Sequence, residues 1–134
     1  MSARIEDRLT SCLRILVAED SLVNQKLVVC LLERQGHCVT VVSNGREAVA
    51  ALQSDSYDVV LMDIEMPEMD GISATRLIRA GERMNGSRLP IVAVTSKDNR
   101  QECLNAGMDA YLPKPLKAEQ LNKTLDKVSG RTAA

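Results

Sequence analysis

The sequence predicts an α/β domain in which helices cover both faces of a parallel sheet. Short apolar runs alternate along the chain with longer segments of helical period, and this alternation is typical of parallel strands joined by helices. Three of the runs, at 15–18, 59–62 and 91–94, are continuously apolar, as expected of strands that are buried on both faces. We therefore expect them to be the central strands of a single domain in this chain of 134 residues.

Five strands are predicted, each followed by one helix. They span Leu13–Ala18, Cys38–Val42, Tyr57–Met62, Pro90–Val94 and Asp109–Leu112. The folded domain is expected to cover residues 13–128, with one tail at residues 1–12 and another at 129–134. The chain contains no internal repeat, low-complexity segment or linker that would indicate a second domain.

The first two helices have recognisable end signals. Ser21 can cap a helix that runs to about residue 35, and Gly36 follows in the position that favours a left-handed residue. Asn44, with Glu47 three residues later, resembles a capping box for the second helix. These signals place both helices directly after predicted strands.

The remaining three helices are defined mainly by apolar period. Asp70-Gly71 opens the third, and the fourth, at roughly 98–105, is only weakly apolar. The fifth runs from about Lys117 to Val128 with apolar residues spaced by four and three, although Lys117 is a poor residue to begin a helix. The predicted order is therefore strand and helix in strict alternation.

Composition argues against several classes of function. Lys and Arg total 17 against 18 Asp and Glu, so the formal charge is −1 and no basic field is available to attract nucleic acid or anionic lipid. There is no Trp or Phe to stack on unpaired bases. The first residues lack the apolar stretch of a signal peptide, and the longest apolar run, Leu27–Leu32, is too short to span a membrane. We expect a cytoplasmic protein with no direct nucleic-acid or membrane partner.

The cysteines and the single histidine do not suggest a transition-metal site. The four cysteines form no CxxC pair and lie in otherwise apolar segments; they are Cys12, Cys30, Cys38 and Cys103. Buried, reduced thiols are therefore expected. His37 follows Gly36 at a predicted turn, and a structural role is expected for it.

Polar residues follow the apolar runs at the carboxyl ends of four predicted strands. The first strand ends in Glu19-Asp20, the third in Asp63, the fourth in Thr95-Ser96 and the fifth in Pro113-Lys114-Pro115. In a parallel sheet these ends share one edge, and open α/β sheets bind ligands in the crevice outside that edge. The sequence therefore predicts one composite site.

The charges at this edge indicate a divalent cation and a phosphoryl group. Carboxylates about 4 Å apart repel by about 4 kcal/mol per pair at an effective dielectric of about 20, so a positive ion is expected among them. Mg²⁺, or Mn²⁺ in its place, suits oxygen ligands, with Asp20 and Asp63 as direct ligands and Glu19 holding coordinated water. Lys114 and the Thr95 hydroxyl can contact phosphoryl oxygens, and Asp63 would be the nucleophile that forms an acyl phosphate.

Each of these residues also has an ordinary structural role open to it. Glu19-Asp20 could belong to a helix cap, and Asp63 could begin a turn. Thr95 could cap a helix, and Lys114 could be a solvated surface charge. Their joint placement at four strand ends, with complementary charges, favours phosphoryl transfer over four separate structural roles.

The same residues resemble the receiver domain of two-component response regulators, and most of all the receivers of hybrid histidine kinases. The matching stretches occur in the order of the family: Ile15–Leu27, Val59–Gly71, Ile91–Ser96 and Ala106–Leu116. The similarity covers about residues 13–128. It implies a flavodoxin-like, doubly wound sheet with strand order 2-1-3-4-5 and a cis Lys114-Pro115 peptide bond.

The resemblance also implies a function in phosphorelay signal transduction. Asp63 would accept a phosphoryl group from the phosphohistidine of a histidine kinase or a histidine phosphotransfer domain. Mg²⁺ would be bound by Asp20, Asp63 and the main-chain carbonyl of Glu65, with Glu19 in support. The domain would catalyse only its own phosphorylation and dephosphorylation, and it could derive from a hybrid histidine kinase.

The resemblance further implies a conformational switch. Thr95 and Lys114 would contact the phosphoryl oxygens, and Ser96 stands where the family often has alanine. Tyr111 would turn toward the space that Thr95 vacates, and this would reshape a face read by a downstream protein partner or domain. Glu65 and Lys97 occupy positions that tune dephosphorylation in the family, although both are expected to face solvent.

Three other functions stay open. An inactive pseudo-receiver would act purely through contacts, although such domains usually lack one of the key residues. An aspartyl-phosphate phosphatase of the haloacid dehalogenase type is faintly suggested by Asp63-Ile64-Glu65, but it would place its nucleophile after the first strand of a longer chain. A flavin- or nucleotide-binding module would need a phosphate loop where Glu19-Asp20 would repel phosphate.

Apolar residues surround the first predicted helix instead of forming one stripe. Part of that surface is expected to be exposed. One hypothesis is that its end near the site docks a histidine phosphotransfer partner. The alternative is that the sheet and the last helix bury it.

Overall fold

In the computed structural model, which describes residues 12–130, five strands form one parallel sheet. The strands are β1 (Arg14–Ala18), β2 (Cys38–Val42), β3 (Val59–Asp63), β4 (Ile91–Thr95) and β5 (Ala110–Pro113). Their order in the sheet is β2-β1-β3-β4-β5. The predicted fold and strand order are therefore confirmed, and the three continuously apolar runs are the central strands.

One helix follows each strand among the described residues. The helices are α1 (Leu22–Arg34), α2 (Gly45–Ser54), α3 (Gly71–Asn85), α4 (Arg100–Ala106) and α5 (Ala118–Val128). No helix in the described range is both long enough and apolar enough to cross a bilayer. Most of the two predicted tails, residues 1–11 and 131–134, lies outside the described residues, and the proposed domain limits stay a prediction.

Alternate residues of the central strands enter two separate cores. Leu16, Val60 and Ala93 face α2, α3 and α4, whereas Ile15 and Leu61 face α1 and α5. Strands covered on both faces in this way need apolar residues at every position. Each fully buried aliphatic side chain contributes about 1.5–3 kcal/mol, so these two layers hold the sheet in place beneath its polar edge.

The helix end signals operate largely as predicted. The Ser21 hydroxyl accepts from Asn24 N–H, and Gly36 has a φ of +86°. The Asn44 side chain accepts from Glu47 N–H at 2.9 Å, but the Glu47 carboxylate accepts from Ser43 N–H and not from Asn44. One half of the predicted capping box is therefore present, whereas the Glu47 side chain bonds to the main chain one residue earlier than the motif requires.

Strands β3, β4 and β5 end one residue later than the sequence predicted. The main-chain ladder pairs Asp63 with Val94 and Thr95 with Pro113, so the strand-end polar residues belong to the sheet and not to the loops after it. Main-chain pairing does not depend on side-chain polarity, which is why the end of an apolar run underestimates the strand. This placement gives the two polar side chains a rigid support.

A buried arginine ties α3 to the starts of β4 and β5. The Arg79 guanidinium donates to Asp109 at 2.7 Å and to Glu82 at 2.6 Å. It also donates to the carbonyl oxygens of Leu89 and Gly107. Asp109 in turn accepts from the main chain of β4. This network lies at the sheet edge opposite the predicted site and was not anticipated from the sequence.

The prediction that all four thiols are buried is confirmed only for Cys103. Cys103 is buried and Cys12 is half-buried, whereas Cys30 and Cys38 are exposed. Cys38 begins β2, an edge strand with one neighbour, and Cys30 lies on α1, whose apolar residues are only partly covered. His37 is buried, and its Nδ1 accepts from Leu13 N–H at 3.0 Å, which agrees with the structural role expected for it.

Candidate functional site

Three carboxylates lie together at the carboxyl edge of the sheet. Glu19 and Asp20 directly follow β1, and Asp63 ends the neighbouring β3. One carboxylate oxygen from each residue lies within 4.8 Å of the other two. Glu19 and Asp63 are buried, with 3% and 4% of their surface exposed, whereas Asp20 is open to solvent. The fold thus brings together the three acidic residues that the sequence singled out.

Lys114 joins this cluster from the end of β5. Its Nζ lies 2.9 Å from a Glu19 oxygen and 3.0 Å from Asp63 Oδ2. Its main-chain N–H donates to the carbonyl of Thr95 at 2.9 Å, and the Lys114-Pro115 peptide bond is cis. Three carboxylates and one ammonium leave two negative charges uncompensated when all four groups are ionised.

This crowding changes the acidity of the cluster. Burial raises the pKa of Asp63 to about 6; contact with Lys114 opposes the rise, and the Glu19 carboxylate adds to it. Burial also acts to raise the pKa of Glu19, but its bonds to Lys114 and to Ser21 N–H hold that pKa below its ordinary value. Burial acts to lower the pKa of Lys114, yet the two carboxylates raise it overall. Asp63 is therefore the more basic of the two buried acids.

The main chain fixes the Asp63 side chain on its other side. Glu65 N–H donates to Asp63 Oδ1 at 3.2 Å, while Oδ2 accepts from Lys114. The turn after β3 is closed by Gly71, whose N–H donates to Ile64 O at 3.0 Å. A Cβ at position 71 would stand 2.2 Å from the carbonyl oxygen of Asp63. Only glycine allows α3 to begin this close to the site.

Glu19 is held just as firmly. Its Oε2 accepts from Ser21 N–H at 3.1 Å, and its carbonyl accepts from the Gln25 side chain. The carboxylate therefore has a fixed direction toward Lys114. The role of Gln25 was not predicted, because a glutamine one turn into a helix carries no signal that distinguishes it from a solvated residue.

An ion pair lies beside the cluster at the surface. Glu65 Oε2 and Lys97 Nζ are 2.8 Å apart, and both side chains are more than half exposed. From the sequence, both side chains are expected to face solvent, and the contact between them is not predicted. The available signal was their spacing, since each lies two residues after a polar strand end, Asp63 and Thr95 respectively.

The remaining predicted switch residues meet at the loop after β4. Thr95 is buried, and its hydroxyl accepts from Lys97 N–H at 3.1 Å. The Tyr111 hydroxyl donates to the carbonyl of Lys97, and the Arg100 guanidinium lies 5.5 Å from the Tyr111 ring centroid. Ser96 is exposed beside them. Thr95 and Tyr111 thus hold the same loop residue, and neither contact is to the carboxylates.

The donor set is suited to a hard divalent cation. Carboxylate oxygens from three residues converge, and a fixed ammonium stands beside two of them. Such ions bind through a few carboxylates while keeping open positions for water and phosphate oxygens. The exposed carboxylate of Asp20 provides the open side. Chemically, the arrangement can hold a cation and present a buried carboxylate oxygen to an electrophile.

Comparison with known proteins identifies relatives over most of the chain. The model of the response regulator receiver domain family matches residues 15–126. Probable histidine kinase 1 of Oryza sativa subsp. indica is 35% identical over 84% of this chain, and sensor protein GacS of Pseudomonas syringae pv. syringae is 44% identical over 87%. The chain spans only 15% and 13% of these two proteins.

Solved structures share the fold, and one of them is described with a bound magnesium ion. The receiver domain of sensor histidine kinase PA1611 from Pseudomonas aeruginosa, with magnesium coordinated in its active site cleft, is 42% identical. It covers 90% of this chain and 99% of its own length, with a TM-score of 0.81. The Saccharomyces cerevisiae co-crystal of the histidine phosphotransfer protein Ypd1 with the Ssk1 receiver domain matches at 26% identity and a TM-score of 0.83, over 89% of this chain and 90% of that one.

Proposed function

This chain belongs to the response regulator receiver domain family, and we propose that it accepts a phosphoryl group from a phosphohistidine onto Asp63. The observation that carries the proposal is the buried Asp63 carboxylate, held by Lys114 among the acidic side chains of Glu19 and Asp20. Among the two buried acids, Asp63 has the raised pKa, and a more basic carboxylate is the better nucleophile. Its fixed position at the end of β3 supplies the orientation that transfer requires.

The chemistry needs few groups beyond those at this edge. An Asp63 oxygen would bond to phosphorus as the phosphorus–nitrogen bond of the donor breaks, and the imidazole leaves. Lys114 would stay beside the cluster and compensate charge on the phosphoryl oxygens. Mg²⁺, or Mn²⁺, would be held by Asp20, Asp63 and the main-chain carbonyl of Glu65, with Glu19 in support; when bound, it supplies charge neutralisation for phosphoryl transfer.

A switch at the loop after β4 follows from the same proposal. The Thr95 hydroxyl would leave Lys97 N–H to donate to a phosphoryl oxygen, with Ser96 moving beside it. Because Tyr111 also bonds to Lys97, loss of the Thr95 contact would release the loop and the ring together. A downstream protein partner or domain would recognise the changed face.

The donor is proposed to be a histidine kinase or a histidine phosphotransfer domain that docks on α1. Leu22, Val23 and Leu27 are 71%, 77% and 42% exposed, and α1 begins two residues after Asp20. Exposed apolar residues beside a reactive group are suited to a partner that must bring its histidine close. Burial by the sheet and the last helix, which is the alternative for this helix, applies to Val28 and Leu32 but not to these three residues.

The wider setting is also proposed. Because the chain spans a small part of its curated relatives, it could be the receiver of a hybrid histidine kinase, and it would catalyse only its own phosphorylation and dephosphorylation. A cytoplasmic location, and the lack of direct contact with nucleic acid or membrane, stay predictions from composition.

Intact mass after incubation with acetyl phosphate tests the phosphoacceptor. One phosphoryl adduct that requires Mg²⁺ and is lost in Asp63→Asn is expected. Asp98→Asn is the control: it removes an exposed carboxyl from the loop before α4 and should still form the adduct. An adduct that survives in Asp63→Asn would show that another residue is the nucleophile, and no adduct from either acetyl phosphate or a phosphorylated histidine donor would favour the pseudo-receiver.

Transfer from a phosphorylated histidine phosphotransfer protein tests the docking helix. Leu22→Glu should slow this transfer and leave phosphorylation by acetyl phosphate unchanged. Met84→Glu is the matched control, because Met84 is 90% exposed but lies near the end of α3. Equal transfer rates for Leu22→Glu, Met84→Glu and the unmodified chain would refute docking on α1.

A further inference from the structure

Two cysteines lie side by side at the sheet edge opposite the phosphoacceptor site. Cys12 Sγ and Cys38 Sγ are 3.9 Å apart, and both are free thiols. Cys38 is the first residue of β2, and its N–H donates to Leu13 O at 2.9 Å. The chain that leads into β1 therefore runs alongside the start of β2, and this brings together two thiols that are 26 residues apart in the sequence.

We propose that Cys12 and Cys38 form a reversible disulfide that fastens the entrance of β1 to the edge strand β2. A disulfide requires the sulfurs to approach to about 2.05 Å. The first ladder pair of the two strands joins Arg14 to Cys38, so Cys12 lies two residues before the paired part of β1. It can shift toward Cys38 without breaking an inter-strand hydrogen bond of the ladder.

The exposure of the two thiols assigns their roles. Cys38 is exposed and Cys12 is half-buried, so an oxidant in solution reaches Cys38 first. Burial and the adjoining Cys38 raise the pKa of the Cys12 thiol, which keeps it protonated and less reactive. Cys38 is therefore the thiol that is oxidised, and Cys12 is the thiol that resolves the product.

The reaction balances with a peroxide as the oxidant. The Cys38 thiol loses its proton, the thiolate attacks one oxygen of hydrogen peroxide, and the oxygen–oxygen bond breaks. The departing hydroxide takes up that proton, so a sulfenic acid and water form. The Cys12 sulfur then attacks the Cys38 sulfur, the sulfur–oxygen bond breaks, and a second water leaves with the Cys12 proton. Two thiols lose two electrons in total, and the peroxide gains them.

The bond would act on stability and not on phosphoryl chemistry. It would close a loop that contains β1 and α1, and closing such a loop restricts the unfolded chain. The midpoint of thermal unfolding should rise by on the order of 10 °C. The carboxylate cluster lies beyond the other end of β1, so the yield of the Asp63 adduct should not change.

The test is treatment of the reduced full chain with stoichiometric hydrogen peroxide. Intact mass should fall by two hydrogen atoms, non-reducing peptide mapping should join Cys12 to Cys38, and dithiothreitol should reverse both. Cys12→Ser and Cys38→Ser should lose the product and the thermal shift. Cys30→Ser, which removes another exposed thiol, should keep both.

Other products would overturn the proposal. These are oxidation of Cys38 to sulfinic acid while Cys12 still reacts with iodoacetamide, a disulfide that includes Cys30, or a dimer linked between chains. Asp63→Asn should form the same disulfide as the unmodified chain. Failure of the phosphoacceptor proposal would therefore leave this result unaffected, and the reverse also holds.

Discussion

Replacing Asp63 with asparagine is expected to stabilise the metal-free domain near neutral pH. Burial, reinforced by Glu19 and opposed by Lys114, raises the pKa of Asp63 from 3.8 to about 6. Such a shift means that the folded state favours the protonated acid, so the ionised carboxylate costs about 3 kcal/mol of folding free energy. Asparagine keeps the shape and removes the charge. The pKa of about 6 already includes the opposing contact with Lys114. The asparagine amide, unlike the carboxylate, brings a donor group beside the Lys114 ammonium, so we expect a net gain of about 1–2 kcal/mol.

The sign of the effect defines its pH window. Because the folded pKa lies above the unfolded one, stability that depends on Asp63 is fully present below 3.8 and is lost as the pH rises to about 6. The difference between Asp63→Asn and the unmodified chain should therefore be smallest near pH 4, grow between these two values and stay constant above them.

Urea unfolding in EDTA, measured at several pH values, tests this reasoning. Asp98→Asn is the control for loss of an exposed carboxyl and should change stability by less than about 0.5 kcal/mol. Added Mg²⁺ should stabilise the unmodified chain more than the Asp63→Asn variant and narrow the gap. Two results would refute this explanation: an Asp63→Asn variant that is no more stable than the unmodified chain at about pH 7.5, or a stability difference that does not change with pH.

Three further predictions concern packing and charge. Gly71→Ala should lower the free energy of unfolding by about 3 kcal/mol or more, measured in urea, since its methyl group would stand 2.2 Å from a carbonyl oxygen of β3. Gly81→Ala is the control: a Cβ there would have nothing within 4 Å, so the free energy of unfolding should rise by about 0.5–1 kcal/mol. Arg79→Ala should cost about 3–5 kcal/mol by leaving buried acceptors unpaired, while Arg83→Ala, exposed on the same helix, should stay within about 0.5 kcal/mol. Lys114→Met should slow adduct formation with acetyl phosphate by on the order of 100-fold, measured by a mass time course; an unchanged rate would exclude Lys114 from the transfer.

The fold was predictable because its signals are local and repeated. Continuous apolar runs mark buried parallel strands, and polar residues at their ends must share an edge once the strands are parallel. The shared edge of the parallel strands is sufficient to place four residues together: Glu19, Asp20, Asp63 and Lys114. No side-chain distance is needed to predict this, because the topology supplies the proximity.

Contacts between distant charged residues could not be predicted in the same way. With 17 basic and 18 acidic residues, the sequence does not indicate that Arg79 binds Asp109 or that Lys97 binds Glu65. Gly71 was interpreted as part of a helix start, whereas its close approach to the main chain of β3 is visible only in three dimensions. The prediction that all four thiols are buried was wrong for a related reason. Apolar neighbours in the sequence do not indicate which face of α1, or which side of an edge strand, is covered.

The contacts of Lys97 indicate how a change of charge at the site could alter the structure of the protein surface. An acyl phosphate carries about two negative charges in place of the single charge of the carboxylate, so the added charge favours a new donor such as the buried Thr95 hydroxyl. That hydroxyl now accepts from Lys97 N–H, and the Lys97 carbonyl accepts from Tyr111. The Thr95→Val variant should therefore still accept the phosphoryl group, but phosphorylation should no longer change the position of the Tyr111 ring. Fluorine NMR of fluorotyrosine-labelled chain would report this: a Tyr111 resonance that shifts equally on phosphorylation with and without the Thr95 hydroxyl would show that the ring responds by another route.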